Sequence, residues 1–215
     1  MKIINAEKLV EHLDADLAWR KKELTYIVNN VKSAPENSIN SNLRIGIAIL
    51  YAHWEGYIKN ASIYYLNFIR HKRLNYENLK PNFIAIALRS QLNECGRTNK
   101  ASIHTKIVEF FIQDLSKVAE IPDKNIINTQ SNLNLEVFKE ILFTLGLDYS
   151  IYELKEKFID YKLLKIRNDV AHGDYIEIDK EDFLNLYTYI MNIIESFKEQ
   201  IINSAENENF KRNIT

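Results

Sequence analysis

The chain reads as an all-α helical bundle, on three observations. Apolar residues return at three- and four-residue spacing through most of the sequence. Only 5 Gly and 3 Pro occur in 215 residues, too few for the tight turns of an all-β fold. Apolar residues make up 46% of the chain, with 12 Tyr and 10 Phe among them, so the core is aromatic-rich. The length suits one domain over residues 1–215, with a core over about 39–204 and a polar tail, 205–215, expected to fray.

The elements follow in order. Leu9, Leu13, Leu17, Leu24, Ile27 and Val31 mark a first helix over about 6–31, with Asn5 as its N-cap. Residues 33–38 read as a polar connector. The most apolar helix spans about 38–70, and its apolar residues surround the axis almost completely. Such a helix is buried centrally or shared with a partner chain. Its polar residues are ordered: His53, Asn60 and Asn67 recur every seven positions, and Glu55 and Lys59 stand four apart, able to pair. A helix is expected from Pro81 through Leu92, with a break at Gly96. Another is expected over 102–119, with Ile103, Ile107, Val108, Phe111, Leu115 and Val118 inward. Residues 121–134 read as a loop, and 135–145 as a short helix stopped by Gly146. The spacing predicts a long helix over 152–171, ended by Gly173. After an extended connector over 175–178, Asp179 caps a last helix to about Ser204.

The net charge of −1 excludes a global basic field for nucleic acid, so any RNA binding must come from local patches. One cysteine, Cys95, excludes an intramolecular disulfide framework and a cysteine-based zinc site, and no metal site or cofactor is expected. The first ten residues hold no apolar secretory core, and the longest apolar run, 45–52, is far too short to cross a bilayer. A soluble, cytoplasmic protein without membrane contact is therefore expected.

The chemistry concentrates at Arg167-Asn168-Asp169-Val170-Ala171-His172. Asn168 and His172 stand four apart and share a helix face, with Arg167 on the adjacent flank. Arginine binds a phosphate through paired N–H donors, and histidine exchanges protons near neutral pH. Metal-free RNA cleavage needs little more: a base for the 2′-hydroxyl proton, an acid for the leaving 5′-oxygen, and a cation for the phosphate. One histidine serves poorly as both base and acid. Two copies across a two-fold axis could divide those roles.

A helical chain with this R-x4-H motif resembles the HEPN superfamily. The segment Tyr51-Ala52-His53-Trp54-Glu55, on an earlier apolar helix, resembles one bacterial branch of HEPN-like nucleases found beside defence and toxin–antitoxin genes. The resemblance covers about 39–204. It implies a HEPN-like bundle with extra helices and a homodimer with a composite cleft. The implied activity is a metal-independent endoribonuclease that leaves a 2′,3′-cyclic phosphate. It further implies RNA as substrate and an antitoxin or defence-complex protein as partner. By the motif, Arg167 and His172 carry over as catalytic and Asn168 as the residue that orients them, with Glu55, His53 and Asp169 as candidates for support.

The RNA-binding candidates are Lys162, Lys165, Arg70, Lys72, Arg73 and Tyr175. The plainer alternatives stay open. Arg167 could pair with Asp160, Asp169 or Glu177, and His172 could act as a helix C-cap. His53 and Glu55 could be satisfied core groups. The whole chain could instead be a non-catalytic dimerisation or nucleotide-binding module of a larger defence complex.

Overall fold

A computed structural model describes residues 2–122, 125–130, 132–155 and 162–212. Among them there are seven α-helices and no strands: α1 (Ala6–Ser33), α2 (Glu36–His71), α3 (Pro81–Cys95), α4 (Ala101–Glu109), α5 (Leu135–Leu145), α6 (Lys165–His172) and α7 (Lys180–Glu206). The all-α expectation holds. The first two, with α7, pack mutually and form the body of the bundle, while α6 lies against α2.

Helix ends follow the expected chemistry. Asn5 accepts from the Lys8 amide, and Asp179 accepts from the Glu181 and Asp182 amides. Two helices end on glycines in the left-handed region, Gly146 (φ 66°) and Gly173 (φ 84°), where a Cβ would be strained. The connector between α1 and α2 is shorter than expected. Only Ala34 and Pro35 separate the helices, because Pro35 ends one and, with φ −67°, sets up the next.

The 36-residue α2 runs through the centre. Trp54 meets Phe138 of α5 edge-on at 5.0 Å, and Phe138 meets Tyr152 at 5.1 Å. The Tyr65 hydroxyl pairs with Ser204 of α7 at 2.6 Å.

Three further expectations are corrected. The helix over 102–119 ends early: α4 gives way at 110–114 to a wider π-type turn. Its anchor is Phe110, buried edge-on against Tyr76 at 4.8 Å, while Val108, Phe111 and Val118 are exposed. One extra residue in the turn rotates the apolar stripe, so the 3.6-residue register from Ile103 no longer predicts the inside. Next, 152–171 is not one α-helix. Ser150–Lys155 is 3-10, residues 162–164 turn widely, and α helix begins at Lys165. Asp160 and Tyr161 lie outside the described residues. Lastly, the tail does not fray at 205. The chain turns back after α7, Phe210 is buried edge-on against Phe68 at 5.8 Å, and Leu79 and Lys211 form an antiparallel bridge.

Candidate active site

The R-x4-H motif occupies α6, which buried Leu163 and Leu164 anchor from its N-terminal side. The Arg167 guanidinium carbon lies 4.0 Å from the centroid of the Tyr51 ring on α2. Its Nη1 donates to Asn168 Oδ1 at 2.7 Å. Stacking occupies the guanidinium face rather than its N–H edges, so arginine suits this contact better than lysine. Asn168 and Arg167 are thus in direct contact at the start of the motif.

The stacking ring is itself held. Tyr51 is buried, and its hydroxyl accepts from the Leu133 amide at 2.6 Å. Burial pushes the phenol up to about 12; the Leu133 amide opposes that shift, and neighbouring Glu55 reinforces it. Glu55, one turn further along α2, accepts a hydrogen bond from Thr129. It does not pair with Lys59. The two bonds tie Thr129 and Leu133 to the turn of α2 that carries Tyr51.

His172 stands in the last turn of α6, exposed, with no hydrogen bond or ion pair to the described residues. Gly173 and Asp174 cap that turn, donating to the Val170 and Asp169 carbonyls at 3.2 and 2.9 Å. The C-cap is thus made by the backbone and not by the imidazole. Asp169 contributes its main-chain carbonyl, and its carboxylate makes no ion pair with the described residues.

The connector that follows is fastened to α2. Asn40 Nδ2 donates to the Ile176 carbonyl at 3.0 Å, and the Ile178 amide donates to Asn40 Oδ1 at 3.3 Å. A side-chain amide here mimics a strand partner. The connector thereby holds Tyr175, 76% exposed, beside α6. Tyr175, Val170, Arg44, Ile45 and Ile49 line a shallow, largely apolar concavity of about 430 Å³.

Other candidates fall elsewhere. His53, two residues from Tyr51, points to the opposite side of α2. Its Nε2 lies 2.8 Å from Glu23 of α1, and its Nδ1 lies 3.4 Å from Arg20 Nη1. Burial holds its pKa below the ordinary histidine value, and Arg20 adds to that while Glu23 opposes it. The structure therefore does not bring His53 to Arg167. Lys162 Nζ donates to Asp182 of α7 at 2.8 Å, and Lys165 is exposed on α6. Arg70, Lys72 and Arg73 stand at the far end of α2, about 28 Å along its axis from Tyr51 at the standard rise. There Lys72 Nζ rests 4.5 Å from the centroid of the Phe68 ring. They belong to a different end of the bundle.

Sequence reasoning missed Tyr51, Thr129 and Asn40 as supports. Tyr51 alone carried a signal: it stands one helical turn from Glu55, in the same short segment. Among the described residues, no three His, Cys, Asp or Glu side chains gather as a metal would need, and no helix is long and apolar enough to cross a membrane.

No curated protein and no solved structure matches this chain. The sequence pattern of one family, RiboL-PSP-HEPN, matches residues 15–203, which takes in α2, the 125–134 segment, α6 and nearly all of α7. HEPN domains are nuclease or nucleotide-binding modules that often bind RNA and dimerise. With the motif on α6 and its buttress on α2 both inside the matched stretch, this chain belongs to the RiboL-PSP-HEPN family of the HEPN superfamily.

Proposed function

We propose that the chain is a metal-independent endoribonuclease of a defence or toxin–antitoxin system, working as a homodimer. The observation that carries this reading is the division of labour on α6. Arg167 is fixed by Tyr51 and Asn168, while His172, at the end of the same short helix, is exposed.

The reaction follows from those groups. A neutral imidazole takes the proton of the 2′-hydroxyl, and the freed oxygen attacks the adjacent phosphorus. The bond to the 5′-oxygen breaks, and an imidazolium from the second copy supplies that oxygen's proton. The products are a 2′,3′-cyclic phosphate and a 5′-hydroxyl. Arg167 offers its N–H edge to the phosphate as charge gathers on its oxygens.

Two copies suit the surface around the motif. On α2, Ile45 and Ala52 are exposed, and Ile45 lines the apolar concavity with Val170 and Tyr175 of the α6 side. An apolar strip beside the motif is a natural two-fold contact, and joining two such strips would bring both α6 helices to one cleft.

The test is RNA cleavage by purified protein in EDTA, with product ends identified by mass. Cyclic phosphate ends are expected, with His172→Ala and Arg167→Ala slower by about 100-fold or more. Activity abolished by chelation, or retained in His172→Ala, overturns the reading. A non-catalytic dimerisation or nucleotide-binding module is the second reading, favoured by the net charge of −1 and by the pairing of Lys162 with Asp182. Ligand-dependent thermal stabilisation by free nucleotides, without cleavage, supports it.

A further inference from the structure

The α2 face that holds Arg167 continues past it. Tyr51, Glu55, Lys59 and Ile63 follow at four-residue spacing and form a slowly winding row. Lys59 stands eight residues beyond Tyr51, about 12 Å along the axis. Residues 125–130 and 132–133 wall this row, tied down by the Thr129–Glu55 and Leu133–Tyr51 hydrogen bonds. At the far end the wall and the helix enclose a cavity of about 580 Å³.

The lining has a definite chemistry. Ile63, Leu66 and Ile127 supply apolar surface. Lys59 is exposed and makes no ion pair with the described residues. Asn67 and Asn128 also line the cavity, and both have their side-chain oxygens engaged. Asn67 Oδ1 accepts from the Ile3 amide at 3.0 Å, and Asn128 Oδ1 accepts from the Gln130 amide at 2.9 Å. Each is left with N–H donors to offer. Two backbone carbonyls of the wall are already taken: Arg89 Nη1 donates to Asn125 and Ile126 at 3.2 and 3.0 Å. No acidic side chain lines the cavity among the described residues. Among the described residues the lining is thus apolar in its floor and carries N–H donors at its edge.

We propose that this cavity is a nucleobase subsite, taking an unstacked, carbonyl-bearing base (uracil, guanine or cytosine, but not adenine) of the RNA strand whose phosphate Arg167 holds. A flat base fits an apolar floor, and base carbonyls accept from Lys59, Asn67 and Asn128. Adenine has no ring carbonyl to offer. RNA readers recognise splayed single-stranded bases in this way, through their edges. The subsite lies a nucleotide or two along the strand from Arg167, so it sets which sequence is cut. This inference rests on the ribonuclease reading of the α6 motif.

The test is fluorescence anisotropy with short labelled single strands of 2′-O-methyl oligouridine and oligoadenosine, which cannot be cleaved by the proposed reaction. Wild-type protein is expected to bind oligouridine about tenfold more tightly. The double substitution of Lys59→Met with Asn128→Asp, at two exposed positions, removes both donors while the new carboxylate keeps the acceptor for the Gln130 amide, and is expected to bring the two affinities within about twofold of each other at an unchanged melting temperature. Lys59→Arg, which keeps charge and donors, should retain the preference. Arg167→Ala should weaken both strands alike, because a phosphate contact carries no base information. Equal binding of the two strands by wild-type protein, or a preference that survives the double substitution, overturns the subsite while leaving the α6 reading standing. Failure of wild-type protein to bind either strand overturns both.

Discussion

Two faces of α2, set by alternate residues of one short segment, do opposite things with polar groups. On the α1 side, Arg20 binds Asp16 through Nε at 2.9 Å, and both are buried. Asp16 also accepts from Trp19 and Asn60, and Arg20 reaches the His53 carbonyl at 3.4 Å. Gly56 makes room for this, since a Cβ there would come within 2.7 Å of Arg20 Nη1. On the α6 side, Tyr51 and Glu55 prop Arg167 and the 125–133 segment, and the motif ends on an exposed histidine. The first face closes on itself, as a buried charge network must. The second leaves a proton-exchanging group in solvent. Arginine and histidine occur on both faces, so residue type alone does not mark a site; what matters is whether the groups around them use up their bonding capacity.

Substitutions on the closed face should act on stability first. Arg20→Ala leaves Asp16 buried without its cation and is expected to lower unfolding free energy by about 3–5 kcal/mol. Urea denaturation measures this, and a loss under about 1 kcal/mol would show that water or local movement already compensates the carboxylate.

Substitutions at the buttress of the open face should act on rate. Tyr51→Leu keeps an apolar side chain but removes the platform under Arg167. Cleavage is expected to fall about tenfold to hundredfold through misplacement of the guanidinium. Tyr51→Phe keeps the ring and loses the Leu133 hydrogen bond, so about 1 kcal/mol of stability should go while cleavage stays near wild type. If the two variants cleave alike, stacking is not what positions the arginine.

The smallest effect should be the pH dependence that His53 contributes. Its folded pKa lies below the unfolded value of about 6.5. The neutral form is thus the one the fold accommodates. That contribution is fully present above the unfolded pKa and is lost as pH falls towards the lower folded value, because the unfolded chain takes up the proton first. Melting temperature should decline from pH 7 downward in wild-type protein and decline less in His53→Gln. Parallel pH profiles would remove His53 from the linkage.

Local chemistry made much of the fold legible. Asn5, Asp179, Gly146 and Gly173 terminate helices through their own side chains or the lack of one, and each could be placed from neighbours in sequence. The π-type turn at 110–114 was hidden, because Phe110 and Phe111 are identical as letters and only the distant Tyr76 selects which turns inward. Phe210 was hidden for a similar reason: one aromatic in a polar tail has no periodicity, and its place depends on Phe68 and the Leu79 bridge. At the site, the spacing of Arg167 and His172 could be read directly. Their supports could not, since Thr129, Leu133 and Asn40 reach α2 or the connector across dozens of residues. His53 and Glu55 illustrate the limit most clearly. They sit two apart, but their helical positions commit one to α1 and the other to the 125–133 segment.

The most direct measurement compares the two histidines in one experiment: RNA cleavage rate in EDTA and melting temperature for His172→Ala and His53→Gln beside wild type. His172→Ala is expected to lose cleavage while melting as wild type does, and His53→Gln to melt earlier while cleaving normally below its transition. Cleavage that survives in His172→Ala, or is lost in a folded His53→Gln, would contradict the division between the closed and open faces of α2.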